Sequence, residues 1–189
     1  AFMACLNPGD EVMIPEPAYA NYMGFACETG AVVRTITTHI EDGFALPSVA
    51  EFEKLINERT RAIMMCNPND PTGTLYTREE LEQLRDLVKK YDLYLLADEV
   101  YREYVYSDQP YVSAMHLEGI EDNVVMIDSV SKRYSECGIR IGALITRNAA
   151  LRAAVMKFAQ ARLSPPLIGQ VVAEASIDTP QAYHKAVYD

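Results

Sequence analysis

Short apolar runs of strand length alternate along this chain with segments of helical periodicity. The apolar runs lie at residues 11–15, 31–37, 62–66, 93–97, 124–127 and 143–146. Segments with apolar residues at helical spacing lie between and after them, at residues 18–29, 49–56, 77–88 and 148–158. This alternation is typical of a mainly parallel sheet with helices on both faces. The predicted fold class is therefore α/β.

Local signals predict where three of these helices begin or end. Thr77 precedes Glu80 by three residues, which is the spacing of a capping box, and a buried stripe follows at Leu81, Leu84, Leu87 and Val88. Gly30 is placed to end the first helix, and Asn148 to cap the last. The expected helix over residues 18–29 includes Tyr19 and Tyr22.

The length of 189 residues and the 49% hydrophobic content allow one substantial core, so we expect residues 1–189 to form a single domain. No apolar run approaches the roughly 18 residues needed to cross a bilayer, and the first residues do not resemble a signal peptide. The simplest expectation is a cytoplasmic protein. The first residues, AFMACL, resemble the end of a helix, and the last residues, AYHKAVYD, stop inside a helical pattern. We therefore expect this sequence to be a fragment of a longer chain.

Charge and cysteine usage exclude several function classes. A net charge of −10 argues against a general nucleic-acid partner, because phosphate binding needs a basic surface. The four cysteines are scattered without a CxxC pair, so neither a metal site nor a disulfide framework is predicted. We expect free thiols.

Three polar clusters follow apolar runs, at residues 67–73, 98–101 and 129–140. Ligands of open α/β sheets bind beyond the carboxyl ends of the strands, so these clusters are the candidate site. Each has an ordinary alternative when taken alone. The first is a turn-rich loop, Asp98 can cap a helix, and a lone lysine such as Lys132 is usually solvated.

Taken in order, four motifs carry a more specific signal: NPNDPTG at 67–73, LLADEVY at 95–101, SVSKRY at 129–134 and GIRIG at 138–142. Together they resemble the class I/II aminotransferases of the fold-type-I pyridoxal-phosphate family, and the resemblance covers essentially the whole chain. It implies an enzyme that uses pyridoxal 5'-phosphate to exchange an amino group between an L-amino acid and a 2-oxo acid. It also implies a homodimer.

The same resemblance implies a role for each matching residue. Lys132 would form the Schiff base with the cofactor and then move the substrate proton, and we expect burial beside cationic groups to lower its pKa. Asp98 would pair with the pyridine nitrogen, and Tyr101 would donate to the phenolic oxygen of the ring. Ser129 and Arg140 would bind the phosphate.

Two further positions that the resemblance places beside the cofactor ring, Tyr19 and Asp70, match the family pattern less closely. Tyr19 matches the family's aromatic residue stacked on the pyridine face, and a place in the helix core is its alternative. Asp70 stands where the family usually has an asparagine that donates to the phenolic oxygen, and an ionised carboxylate can only accept. Asp70 is expected either to turn away, leaving Asn67 or Asn69 to compensate, or to repel the phenolate.

The family's upstream phosphate-binding helix start and downstream small domain are not visible. We therefore expect this chain to be the central part of the large domain and to bind the cofactor weakly by itself. Other fold-type-I enzymes, namely carbon–sulfur lyases, decarboxylases and synthases, keep the same core residues. The loop and the GIRIG segment favour the aspartate and aromatic aminotransferase branch.

Two readings outside this enzyme family remain. Ser129 and Lys132 also fit the SxxK pattern of serine acyltransferases, although the KTG and SDN motifs are missing. A ligand-sensing domain of a transcription regulator would carry a DNA-binding segment, and this acidic chain has no basic cluster.

Overall fold

The computed structural model describes residues 1–188, so Asp189, the last residue of the expected domain, lies outside the described part. Within that part the strands are β1 (Glu11–Glu16), β2 (Val32–Thr37), β3 (Thr60–Cys66), β4 (Tyr94–Asp98), β5 (Val124–Ser129) and β6 (Gly142–Ile145). Each strand overlaps one of the six predicted apolar runs.

The α-helices of the same residues are α1 (Phe2–Cys5), α2 (Asn21–Thr29), α3 (Val49–Leu55), α4 (Arg78–Tyr91), α5 (Val130–Arg133), α6 (Ala149–Arg162), α7 (Leu167–Ala175) and α8 (Gln181–Tyr188). Across residues 1–188, no helix is both long and apolar enough to cross a lipid bilayer.

The strands form one sheet in the order β2-β1-β3-β4-β5-β6. All neighbours are parallel except the edge pair, where β6 runs antiparallel to β5. The predicted fold class, α/β with a mainly parallel sheet, is confirmed.

Alternate residues of the inner strands serve two separate cores. Met13, Ile63 and Leu95 pack on one face with the apolar sides of α3 and α4. Val12 and Met64 pack on the other face with side chains of α1, α2 and α6. Because successive side chains of a strand point to opposite faces, strands covered on both sides need continuous apolar runs. The expected helices on both faces are confirmed.

The predicted helix signals are also confirmed. The Thr77 and Glu80 side chains each bond the other's backbone amide, forming the capping box of α4. Gly30 ends α2 with φ of 71°, and the Asn148 side chain accepts the Leu151 amide at the start of α6. The start of α2 differs from the prediction, because the helix begins at Asn21 and leaves Tyr19 in the preceding turn.

Candidate active site

Three strand ends bring the polar clusters to one edge of the sheet. Cys66 at the end of β3 lies beside Asp98 at the end of β4, and Asp98 lies beside Ile127 of β5. The pairing of β3 with β4 continues past the end of β3, since the backbone amide of Asn67 donates to the backbone carbonyl of Asp98 at 2.9 Å. The loops after these parallel strands therefore leave the sheet from one side, where ligands of such sheets bind.

Lys132 lies on α5, a helix of a single turn that directly follows β5. Ser129 caps this turn, because its Oγ accepts the Ser131 amide at 3.0 Å. The same hydroxyl lies 3.1 Å from the Ile141 carbonyl, next to β6. Ser129 thus fixes the start of the segment that carries Lys132.

The Lys132 amine lies 5.1 Å from the centre of the Tyr101 ring. The Tyr101 hydroxyl donates to Asp70 Oδ2 at 3.2 Å. Hydrogen bonding with Tyr101 is the largest cause that raises the pKa of Lys132, and the charges of Asp70 and Tyr19 add to it. The expectation of a lowered pKa is wrong in this arrangement, because the amine faces phenols and a carboxylate rather than cations.

Asp98 is half-buried at the end of β4 and accepts two hydrogen bonds. The Tyr22 hydroxyl donates to Oδ2 at 2.8 Å, and the Val100 amide donates to Oδ1 at 3.3 Å. Burial is the main cause that raises the pKa of Asp98, while these two bonds oppose the rise. Asp70 and Asp128 raise this pKa further through their negative charges.

Tyr22 is a site residue that the sequence did not reveal, because its spacing with Ala26 reads as helix core. The signal that could have found it is chemical, since a tyrosine on the buried side of a helix needs a partner for its hydroxyl. Tyr19 meets the Tyr22 ring edge-on, with ring centres 5.5 Å apart. Tyr19 therefore reaches the site from the turn before α2, and the residue is 40% exposed.

Asp70 faces Tyr101 rather than turning away from it. Elsewhere in the loop, Asn69 Oδ1 accepts the amide and hydroxyl of Thr72, at 3.1 and 2.8 Å. Asn67 Oδ1 accepts the Tyr76 amide, while its buried Nδ2 has no partner within residues 1–188. A buried unpaired donor is rare in folded proteins, so the loop retains a donor for another group.

Arg140 lies on the exposed turn before β6, with φ of 60°. Its Nη1 donates to the Cys137 carbonyl at 2.7 Å, and no hydrogen bond joins its side chain to Ser129 in the described part of the chain. Nearby, Gly142 pairs with Ser129 across β5 and β6. A Cβ at this glycine would lie 2.9 Å from the Asp128 carbonyl, so the close approach of the two strands requires glycine.

The gathered side chains match the needs of a planar, electron-poor aromatic ring that carries a carbonyl group. Tyr19 offers an aromatic face, Asp98 a carboxylate, Tyr101 a phenol and Lys132 an amine that can bond to carbonyl carbon. Fold and site together define an α/β protein with a lysine-centred site at the carboxyl edge of its sheet.

Comparison with known proteins narrows this class. The family model described as aminotransferase class I and II matches residues 1–188. The chain is 36% identical to the putative aminotransferase YugH of Bacillus subtilis, over 92% of this chain and 44% of that protein. It is 39% identical to an aspartate aminotransferase of Thermotoga maritima, over 77% of this chain and 38% of that protein. The chain belongs to the class I and II aminotransferase family.

The fold agrees with solved structures of this family. A mutant aspartate aminotransferase of Thermus thermophilus superposes with a TM-score of 0.89 at 28% identity, covering 98% of this chain and 48% of that one. The chain thus spans less than half the length of each of these three relatives.

Proposed function

We propose that this chain is the central part of the large domain of a pyridoxal-phosphate-dependent aminotransferase. It would take part in transferring an amino group between an L-amino acid of the aspartate or aromatic type and a 2-oxo acid. One observation carries the proposal: Lys132, Tyr101 and Asp70 meet at one sheet edge beside Asp98, in a chain of this family. The name of the Thermotoga relative supports the aspartate type.

When bound, pyridoxal 5'-phosphate supplies an aldehyde carbon and an electron-withdrawing ring. Lys132 would provide the amine that bonds to this carbon and would later hold the substrate proton at Nζ. Because contact with Tyr101 raises the pKa of Lys132, the amine must first give up a proton. Tyr101 and Asp70 are the neighbouring groups that can hold or pass on that proton.

Asp98 would keep a proton on the pyridine nitrogen, so that the ring can withdraw electrons. Tyr22 and the Val100 amide hold the carboxylate in one orientation, which prepares it for this contact. Tyr19 would cover one face of the ring. These groups would orient the ring and stabilise its charge, and they would form no covalent bond with it.

Ser129 and Arg140 would hold the phosphate. The Arg140 guanidinium has five N–H donors and uses one on the Cys137 carbonyl, so most of its donors stay free for an anion. Ser129 would have to share its hydroxyl between the phosphate and its contact with Ile141. These two assignments come from the family motifs.

The proposal includes a homodimer and a cytoplasmic location. Leu167, Ile168 and Val171 of α7 are 75%, 79% and 57% exposed, and such apolar surface supports contact with another chain. The cysteines at positions 5, 27, 66 and 137 are free thiols, which supports a reducing compartment.

The first test is to mix the purified chain with pyridoxal 5'-phosphate, reduce with borohydride and map the modified lysine by mass spectrometry. Reduction traps even weak binding, and the adduct is expected on Lys132. Lys132→Ala should abolish it, whereas Lys157→Ala, at an exposed lysine of α6, should not. Equal labelling of Lys132 and exposed lysines would overturn the proposed site.

The substrate class needs a second measurement on the loaded protein. Stoichiometric L-aspartate or L-tyrosine is added, and the 2-oxo acid formed in a single turnover is quantified. Formation of either 2-oxo acid supports transamination of that type. Release of ammonia or carbon dioxide instead would point to another reaction.

A further inference from the structure

Three consecutive backbone carbonyls, beginning with that of Lys132, each accept a hydrogen bond from a tyrosine hydroxyl. The bonds run from Tyr104 to the Lys132 carbonyl at 2.8 Å, from Tyr188 to the Arg133 carbonyl at 2.7 Å, and from Tyr183 to the Tyr134 carbonyl at 3.2 Å. We call these three side chains the tyrosine brace.

The carbonyls belong to the end of α5, a single turn from Val130 to Arg133. The last carbonyls of any helix lack partners inside the helix. A one-turn helix is also unstable by itself, because nucleating the first turn is unfavourable. The position of the Lys132 backbone is therefore set by outside contacts, and the tyrosine brace supplies most of those at the carbonyl end.

The brace joins two elements that are far apart in sequence. Tyr104 lies in the turn after β4, whereas Tyr183 and Tyr188 lie on α8. The Tyr104 ring packs edge-on against both Tyr101 and Tyr188, with ring centres 5.8 and 4.9 Å apart. Burial is the main cause that raises the pKa of Tyr188 to about 12, so this hydroxyl keeps its proton and donates at neutral pH.

Ion pairs also hold the side chain of Arg133, the residue that follows Lys132. The Arg133 guanidinium lies 2.6 Å from Glu103 and 3.3 Å from Asp128. Arg102 pairs with the same Asp128 at 2.9 Å. Residue 133 is thus fixed both through its backbone carbonyl and through its guanidinium. The Lys132 side chain extends from this turn towards Tyr101.

We propose that Tyr104 and Tyr188 are positioning residues for Lys132, holding the turn on which the reactive amine is carried. This inference rests on the proposed function, which gives Lys132 the covalent step. A shift of the turn would move the amine away from Tyr101, Asp70 and Tyr19, the groups that face it. Catalytic groups tolerate only small displacements of this kind.

The test uses Tyr104→Phe and Tyr188→Phe, which remove one hydroxyl each and keep the rings. Tyr106→Phe is the matched control, because Tyr106 lies two residues from Tyr104 with its side chain 74% exposed. Capture of pyridoxal 5'-phosphate on Lys132 is trapped with borohydride at a series of pH values. Each brace variant is expected to slow capture about fivefold, the loss typical of one hydrogen bond.

The midpoint pH of capture should also fall in the brace variants, since the amine moves away from groups that raise its pKa. A purely structural role would lower the melting temperature without moving this midpoint. Unchanged rate and midpoint in both brace variants would overturn the inference. If one variant does not fold, the other decides the question alone.

Amide hydrogen exchange without the cofactor separates this inference from the proposed function. The Tyr134 and Ser135 amides donate to the Val130 and Lys132 carbonyls, so their exchange reports on the turn. Faster exchange there in the brace variants, with Tyr106→Phe unchanged, supports the brace, and equal exchange in all proteins refutes it. A wild-type chain that forms no Lys132 adduct would refute the proposed function, while this exchange result would still stand.

Discussion

Asp70 places a carboxylate beside the candidate catalytic lysine. The Tyr101 hydroxyl has one proton and donates it to Asp70, so the Tyr101 oxygen can only accept from Lys132. An asparagine at position 70 would offer an N–H donor and carry no charge. The aspartate instead gives the site a fixed acceptor and an additional negative charge next to the amine.

Replacing Asp70 with asparagine should lower the pKa of Lys132, because the Asp70 charge is one of the causes that raise it. The midpoint pH for modification of Lys132 by an amine-specific reagent would then fall. Mass spectrometry of the modified peptide across a pH series measures this midpoint. Asp108→Asn, in an exposed loop, is the control, and identical midpoints in all three proteins would contradict the role of Asp70.

Replacing Tyr22 with phenylalanine should raise the pKa of Asp98, since the Tyr22 hydroxyl donates to its carboxylate and lowers that pKa. The change should also destabilise the fold by about 1 kcal/mol, because a half-buried carboxylate oxygen loses its donor. Carboxyl ¹³C NMR of Asp98 follows the titration, and urea unfolding gives the free energy. Tyr19→Phe is the control, because the Tyr19 hydroxyl accepts from the Asn21 side chain, and it should leave both values near those of the wild type.

The sequence could indicate Lys132, Asp98 and Tyr101, because each stands at a fixed place in an ordered motif after a strand. It could not indicate the direction of the Lys132 pKa. That direction comes first from the contact with Tyr101, and it is reinforced by Asp70, which is 62 positions away in the chain and meets Tyr101 only in the folded state. Tyr22 was missed for a related reason, since helical spacing describes a buried face and not the partner of a hydroxyl.

At the scale of elements, the strands and the capped helices followed from local rules, because apolar periodicity and cap residues act within a few positions. The boundary of α2 did not follow, since Tyr19 fits the helical spacing although the helix begins at Asn21. The turn α5 could not be predicted from periodicity either, because four residues are too few to show a period. Its outside contacts come from Ser129 at the start and from the tyrosine brace at the end.

The capping box of α4 allows a test of whether a local sequence signal stabilises the fold. Thr77→Ala removes the acceptor for the Glu80 amide, which lies 3.1 Å from Thr77 Oγ1, and should lower the free energy of unfolding by about 1 kcal/mol. Urea unfolding monitored by circular dichroism measures the change. Gln83→Ala, at an exposed position of the same helix, should have little effect. A Thr77→Ala protein as stable as the Gln83→Ala protein would show that the cap is dispensable.

At the scale of the whole molecule, Glu11 ties three neighbouring strands together. It lies at the start of β1 with no exposed surface, and its carboxylate pairs with Arg34 of β2 and Arg59 beside β3, each at 2.8 Å. Asn57 donates to the second oxygen at 2.8 Å. The sequence gives no local sign of this junction, because the partners come from distant segments that the sheet order brings together.

This junction should make the stability of the whole fold depend on acid. Hydrogen bonding with Arg34 is the main cause that lowers the pKa of Glu11 from 4.5 to about 2. A carboxyl group with a lowered folded-state pKa stabilises the protein above its unfolded-state pKa, and this stabilisation is lost as the pH falls towards the folded-state value. The contribution of Glu11 should therefore be complete above about pH 5 and should disappear between about pH 4.5 and pH 2.

Glu11→Gln keeps the size of the side chain and removes its charge, so it should lower the free energy of unfolding at pH 7 by about 2 kcal/mol. The difference between wild type and variant should shrink steadily as the pH falls from 4.5 to 2, because the wild-type carboxylate becomes protonated in that interval. Urea unfolding at each pH measures both curves. Glu58→Gln, at an exposed carboxylate near the same junction, should follow the wild type throughout. A constant difference across this pH range would mean that packing, and not the charge of Glu11, holds the three strands together.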